Sequence, residues 1–164
     1  MTDLSTENLA DLIAKRHHCL RQLDELGERQ ASLIESSDMT TLLKLISAKD
    51  QVIAALQAIE SQLAPFHDQD PEARDWPSPE RRAECAAQAA ACQQLLQRIM
   101  ARERSNEDLL TRKRDLVAQQ LQSAQSAGAA RGAYQAQANI KPQSPHVSFS
   151  NDTSSASLDI RSEV

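Results

Sequence analysis

Gln30-Ala-Ser-Leu-Ile-Glu-Ser-Ser-Asp-Met-Thr-Thr-Leu-Leu-Lys-Leu-Ile-Ser-Ala-Lys49 decides how the first half of this chain folds. To its left, apolar residues recur at alternating spacings of three and four: Leu9, Leu12, Cys19, Leu23, Leu26 and Leu33, with Arg16 and Gln30 filling two slots. After Ser36-Ser37-Asp38 the phase restarts with Leu42, Leu45, Lys49, Val52, Leu56, Ile59 and Leu63. Such spacing lays one apolar stripe along each of two helices. Ser37 or Asp38 can accept hydrogen bonds from the free N–H groups that begin the second helix, so a cap and turn belong there. A connection this short makes the helices antiparallel neighbours, a hairpin. The other reading is one continuous helix of about sixty residues, because neither Gly nor Pro forces the turn.

Proline placement extends the reading outward. Pro65, Pro71, Pro77 and Pro79 form one zone and Pro142 and Pro145 another, while residues 3–64 and 80–127 contain no proline and one glycine, Gly27. Blocks rich in Ala, Leu, Gln, Glu and Arg without breakers are what helices require. The predicted helices span 3–36, 39–64 and 79–127, with a linker over 65–78. Ser78-Pro79-Glu80 opens the third one well, with Ser as cap, Pro at the first helical position and an acid in the first turn. Its seam reads Cys85, Ala89, Cys92, Leu96, Ile99, Glu103, Asn106, Leu110, Val117 and Leu121. A helix over 79–127 reaches roughly 70 Å, against roughly 45 Å for a hairpin of helices of about 30 residues. The far end of the third helix therefore outruns its partners. From Gly128 the chain turns to Ala, Gly, Gln and Ser, and such a segment cannot bury enough surface to offset ordering entropy. The expected fold is all-α: an antiparallel helical hairpin plus a long third helix, a coiled-coil-like bundle over 1–127, with a disordered C-terminal tail over 128–164.

Composition narrows the function. Of 164 residues four are aromatic, Phe66, Trp76, Tyr134 and Phe149, so the core rests on aliphatic seams. The first residues have neither a basic nor an apolar run, so no signal peptide is read. No apolar stretch approaches the roughly 20 residues that span a bilayer. Three cysteines, Cys19, Cys85 and Cys92, make an odd count without CxxC spacing. Cys85 and Cys92 lie about 10 Å apart along a helix, too far for a disulfide, and read as small seam residues of a cytoplasmic protein. His17 and His18 point about 100° apart on a helix and cannot share a metal. Asp11–Lys15, Glu25–Arg29 and Asp108–Arg112 are acid-first i,i+4 pairs that support helices rather than acid–base chemistry. Three glycines leave no phosphate-cradling loop. Arg112-Lys113-Arg114 is flanked by Glu107, Asp108 and Asp115 in a chain of net charge −5, a poor surface for nucleic acid. No catalytic residue, metal or cofactor is expected. What remains is the placement of apolar side chains: a helix that keeps a stripe free can hold a partner's amphipathic helix through i, i+3/i+4, i+7 anchors. Polar residues in the seam, Arg16, Gln30, Lys49 and Glu103, are expected to weaken the bundle.

The pattern resembles the FlgN family of flagellar type III export chaperones. The likeness rests on Gln30-Ala-Ser-Leu-Ile-Glu-Ser-Ser-Asp38, Leu42-Leu-Lys-Leu-Ile-Ser-Ala-Lys49 and Val52-Ile-Ala-Ala-Leu56, then, past a linker, Cys92-Gln-Gln-Leu-Leu-Gln-Arg-Ile99 and Asn106-Glu-Asp-Leu-Leu110. It covers roughly residues 5–135. It implies a cytoplasmic chaperone that holds amphipathic segments of hook–filament junction proteins, prevents their premature assembly and delivers them to the export gate. Carried over by position, the resemblance implies cargo contacts at Leu109, Leu110, Leu116, Val117 and Leu121. It also implies that Tyr134 docks on the cytoplasmic domain of the export-gate protein, although Gln135 here follows the tyrosine where the family has Gly. The alternative is a self-associating coiled-coil scaffold without an export role, its seam satisfied by a second copy.

Overall fold

In the computed structural model, which describes residues 3–140, Ser5 caps the first helix by accepting a hydrogen bond from the Asn8 N–H at 3.2 Å. Helix α1 runs Thr6–Glu35 and α2 runs Met39–Leu63. Between them the chain reverses at Ser36-Ser37-Asp38, so the hairpin forms and the continuous helix does not. Two hydrogen bonds close the end of α1: Ser37 N–H to the Ile34 carbonyl and Asp38 N–H to the Leu33 carbonyl, each 3.1 Å. This is a Schellman closure, which needs a left-handed residue just past the helix. Ser37 takes that conformation with φ 60°. Asp38 then caps α2, accepting from the Thr41 N–H at 3.1 Å. One tripeptide thus ends a helix and starts the next.

The linker folds into two 3₁₀ turns, Ala64–Phe66 and Pro71–Ala73. Helix α3 starts at the expected cap: Arg81 N–H donates to the Ser78 hydroxyl at 3.2 Å. It runs Pro79–Ala138, past the residue 127 where composition had placed its end. Residues 128–138, read as the start of a disordered tail, are helical here; residues 141–164 of that expected tail lie outside the described residues. Ala and Gln are good helix formers, and over 122–138 they outweigh the cost of Gly128 and Gly132.

The chain divides into two compact units, Met1–Leu121 and Gln122–Val164. In the first, α3 runs parallel to α1, as the contacts of successive residues show: Arg81 with Glu7 at 3.8 Å, Arg102 with Glu28 at 3.0 Å, and the Lys113 ammonium with the Glu35 carbonyl at 2.8 Å. Two apolar clusters hold the unit. Leu12, Cys19, Ile59, Leu63 and Phe66 pack where α1 begins and α2 ends. Leu20, Leu23, Cys92, Leu95 and Ile99 join α1 to α3. Fully burying a side chain such as Leu12 or Leu20 stabilises by roughly 1.5–3 kcal/mol. The heptad reading found one stripe on α1, yet α1 meets two partners and buries a second one, Leu20, Asp24, Gly27 and Ile34. On α3 Leu95 is the buried neighbour, and Leu96 packs half-buried at its side. In the second unit every described side chain is exposed.

Candidate functional site: the apolar stripe of the third helix

The polar seam residues meet one another. Lys49, buried on α2, donates to Gln30 Oε1 of α1 at 2.7 Å and pairs with Glu103 of α3. Arg16 pairs with Glu60 across the hairpin. Beside this tie, Asp24 is buried on α1 and held by both Arg98 and Arg102 of α3. Buried charges persist only when paired and hydrogen-bonded. Among the described residues no buried side-chain N or O lacks a partner. The pairing of Lys49 with Gln30 and Glu103 joins three helices, which the seam spacing alone did not reveal.

Asn106 is the last buried residue of α3. Beyond it the apolar spacing continues, but the hairpin offers it little cover. Leu110 is 38 % exposed, Leu116 51 %, Val117 59 % and Leu121 60 %; Leu109 is half-buried. Leu110, Val117 and Leu121 follow i, i+7, i+11 spacing, which is one face of a helix. Leu110, Val117 and Leu121 thus form an exposed apolar row, with Leu116 and the half-buried Leu109 about 100° round the helix beside it. Lys113 stands within it: its ammonium caps the end of α1 through the Glu35 carbonyl and also reaches Ser37 Oγ at 3.2 Å.

The stripe is wider than the third helix alone. A shallow groove of about 290 Å³ is lined by Leu110 and Val117 together with Met39 at the start of α2. Met39, Leu43 and Ile46 are each exposed at i, i+4, i+7 spacing, off the Leu42–Leu45–Lys49 seam. That second stripe on α2 is legible in the sequence as spacing and lies beside the buried seam. Tyr134 lies on α3 within the second unit, 75 % exposed, and so on a helix rather than in the unstructured stretch read from composition.

Reactive groups are dispersed. His17 is half-buried, His18 exposed and Cys19 buried in the first apolar cluster. Among the described residues no three His, Cys, Asp or Glu side chains gather where a metal could sit. Burial pushes the thiols of Cys85 and Cys92 up from the usual range, keeping them protonated. No helix is long and apolar enough to cross a membrane among the described residues.

What the geometry offers is a polar-locked bundle that ends, along α3, in a ready apolar face. No curated protein and no solved structure matches the chain. A family model described as FlgN protein matches residues 1–142, most of the chain. Three helices in the expected order, the polar-interrupted seam and that match agree: the chain belongs to the FlgN family.

Proposed function

We propose that this protein is a cytoplasmic export chaperone for flagellar hook–filament junction proteins, capturing their amphipathic segments on Leu109, Leu110, Leu116, Val117 and Leu121. Membership of the FlgN family supports a flagellar chaperone role in general and a non-enzymatic one. The observation that carries the finer reading is the exposure of Leu110, Val117 and Leu121 on one face of α3 beyond Asn106, its last buried residue. A cargo helix laid on that face removes apolar surface from water at about 25 cal/mol per Å². Ordering a flexible cargo segment consumes part of the gain, so binding is reversible and suits hand-over. Capture blocks premature assembly by covering the surface the cargo would otherwise use. Tyr134, exposed and aromatic, docks on the cytoplasmic domain of the export-gate protein; tyrosine is favoured at binding hot spots because it combines area with a polar tip.

The test is a pull-down from cytosol with the purified chain beside a Val117→Asp/Leu121→Asp double variant, with partners identified by mass spectrometry. Both positions are exposed, so the variant keeps its fold. A junction protein recovered by the natural chain and lost by the variant supports the cargo surface. Equal recovery by both rejects it. Recovery of only the chain itself moves the reading to a self-associating scaffold.

A further inference from the structure

A second groove, of about 460 Å³, lies in the first unit at the end of the bundle where the linker joins α3. Its volume is in the range of built binding pockets. Leu9 and Ile13 of α1, Leu63, Phe66 and Trp76 of the linker give it an apolar lining. The chain has four aromatic residues, and two of them line this one groove. From α3 the lining includes Ala86 and Ala89, where further along the same helix Leu95 and Ile99 fill the interface. Small residues there leave open the space that larger ones close elsewhere.

The charged side chains lining the groove are all arginines, Arg16, Arg74 and Arg82, against a chain whose net charge is −5. Two of the arginines are already answered, Arg16 by Glu60 and Arg82 by Glu72 at 2.6 Å. Arg74 is different. Its guanidinium lies 4.8 Å over the Phe66 ring and donates to Gln69 and, at 3.4 Å, to the Leu4 carbonyl, with no carboxylate paired to it among the described residues. Stacking and two neutral acceptors hold the fork in place while leaving its charge uncompensated. A guanidinium so placed recognises a carboxylate.

We propose that this groove is a second protein-binding site, which takes an acidic amphipathic peptide segment: a large apolar side chain between Trp76 and Ala89, with a neighbouring carboxylate on Arg74. The cations select against a basic segment, and the apolar lining against a purely acidic one. Along α3 the groove is about 40 Å from the Leu110–Leu121 stripe, so one segment of ordinary helix length does not fill both. The site goes beyond the cargo reading and stands without it.

Trp76 is the only tryptophan, so its emission reports on the groove directly. The probe is a blocked Leu/Glu/Ala helical peptide of about four turns, free of Trp and Tyr, with Leu on one face and Glu beside it. Its control carries Lys for every Glu. The acidic peptide is expected to change Trp76 emission saturably and to bind at least about tenfold more tightly than the basic one. Arg74→Gln should weaken it about tenfold, the scale of one charged hydrogen-bond pair. Ala89→Leu, which fills the groove, should abolish binding; Arg74→Gln keeps the test open whether or not that variant folds. The Val117→Asp/Leu121→Asp variant should bind the probe as the natural chain does, even if it loses cargo. Equal binding of both peptides, no saturable change in emission, undiminished binding by a folded Ala89→Leu, or loss of binding in Val117→Asp/Leu121→Asp would each overturn the proposal.

Discussion

Asn106 of α3 donates its side-chain N–H to the main-chain carbonyl of Gly27 on α1, at 3.0 Å and with Asn106 only 2 % exposed. The approach is close because Gly27 carries no side chain: a Cβ there would lie 3.0 Å from Arg102 Cδ, and Arg102 is itself held by Asp24 and Glu28. A single glycine inside a long helix costs about 1 kcal/mol relative to Ala; here it admits α3. Together these two residues mark where the packed part of α3 ends and its open stripe begins.

Asn106→Ala should therefore destabilise the bundle by about 1–2 kcal/mol, the cost of a lost buried hydrogen bond and a small void. Gly27→Leu should cost more, because a branched side chain cannot fit without displacing Arg102 and parting α1 from α3. Urea unfolding followed by circular dichroism measures both. An unchanged midpoint in both variants would show that the α1–α3 contact is not held at this point.

At the hairpin turn, Ser37 occupies a left-handed conformation that costs a non-glycine residue of order 1 kcal/mol. Ser37→Gly should raise stability by up to about 1 kcal/mol, reduced by the larger freedom glycine has in the unfolded chain. Ser37→Val should lower it by about 1–2 kcal/mol, since a β-branched side chain fits positive φ poorly. The pair of melting temperatures should move in opposite directions; movement in the same direction would point to the Lys113–Ser37 contact as the stronger influence.

Much of this architecture was readable beforehand. The restart of the heptad after Asp38 favoured a turn over one continuous helix, and Ser78-Pro79 announced the start of α3, because caps and prolines act locally. Arg16, Gln30, Lys49 and Glu103 stood in seam slots that apolar residues usually fill; their pairing was not legible, because it depends on which helices are neighbours and in what register. Leu20, Asp24 and Ile34 were missed for the same reason: a heptad describes one seam, and α1 has two. The end of α3 was misplaced because Ala and Gln favour helix without burying anything, so neither hydrophobic periodicity nor a cap signals where such a helix stops. For the candidate site, spacing placed Leu110, Val117 and Leu121 on one seam and the family resemblance made them candidate contacts, whereas Met39 joins them only through the geometry of the turn.

Asp38 makes the turn sensitive to acid. The Thr41 hydroxyl and then the Thr41 main-chain N–H donate to its carboxylate, and with a smaller attraction from Lys44 they hold its pKa below the ordinary 3.8. A depressed folded pKa means that the unfolded chain takes up the proton first as pH falls. The contribution to stability is thus fully present above 3.8 and is lost as pH drops through the lower folded value. Asp38→Asn keeps a capping oxygen but no charge. It should melt below the natural chain at neutral pH and together with it well below pH 3.8. A difference that persists in strong acid would assign the effect to geometry rather than charge.

Lys49 and Glu103 should respond unequally to substitution. The Lys49 side chain is 9 % exposed, while that of Glu103 is 41 % exposed and partly hydrated. Lys49→Met replaces a buried ammonium with an apolar chain of similar length, and the carboxylate left behind can turn to water. Replacing a buried ion by a well-packed apolar group is often neutral or stabilising. Glu103→Leu instead leaves the ammonium buried with only Gln30 as partner. Removing one member of a fully buried pair costs about 3–5 kcal/mol; the exposure of Glu103 reduces this, and about 1–3 kcal/mol is expected. Chemical unfolding should place Lys49→Met within about 1 kcal/mol of the natural chain and Glu103→Leu clearly below it. The double variant Lys49→Met/Glu103→Leu should recover most of the loss, since it removes the unpaired charge along with its partner. If Lys49→Met proved the more damaging single change, the ammonium would be making a larger net contribution than its desolvation allows, and the tie would have to be counted as a source of stability.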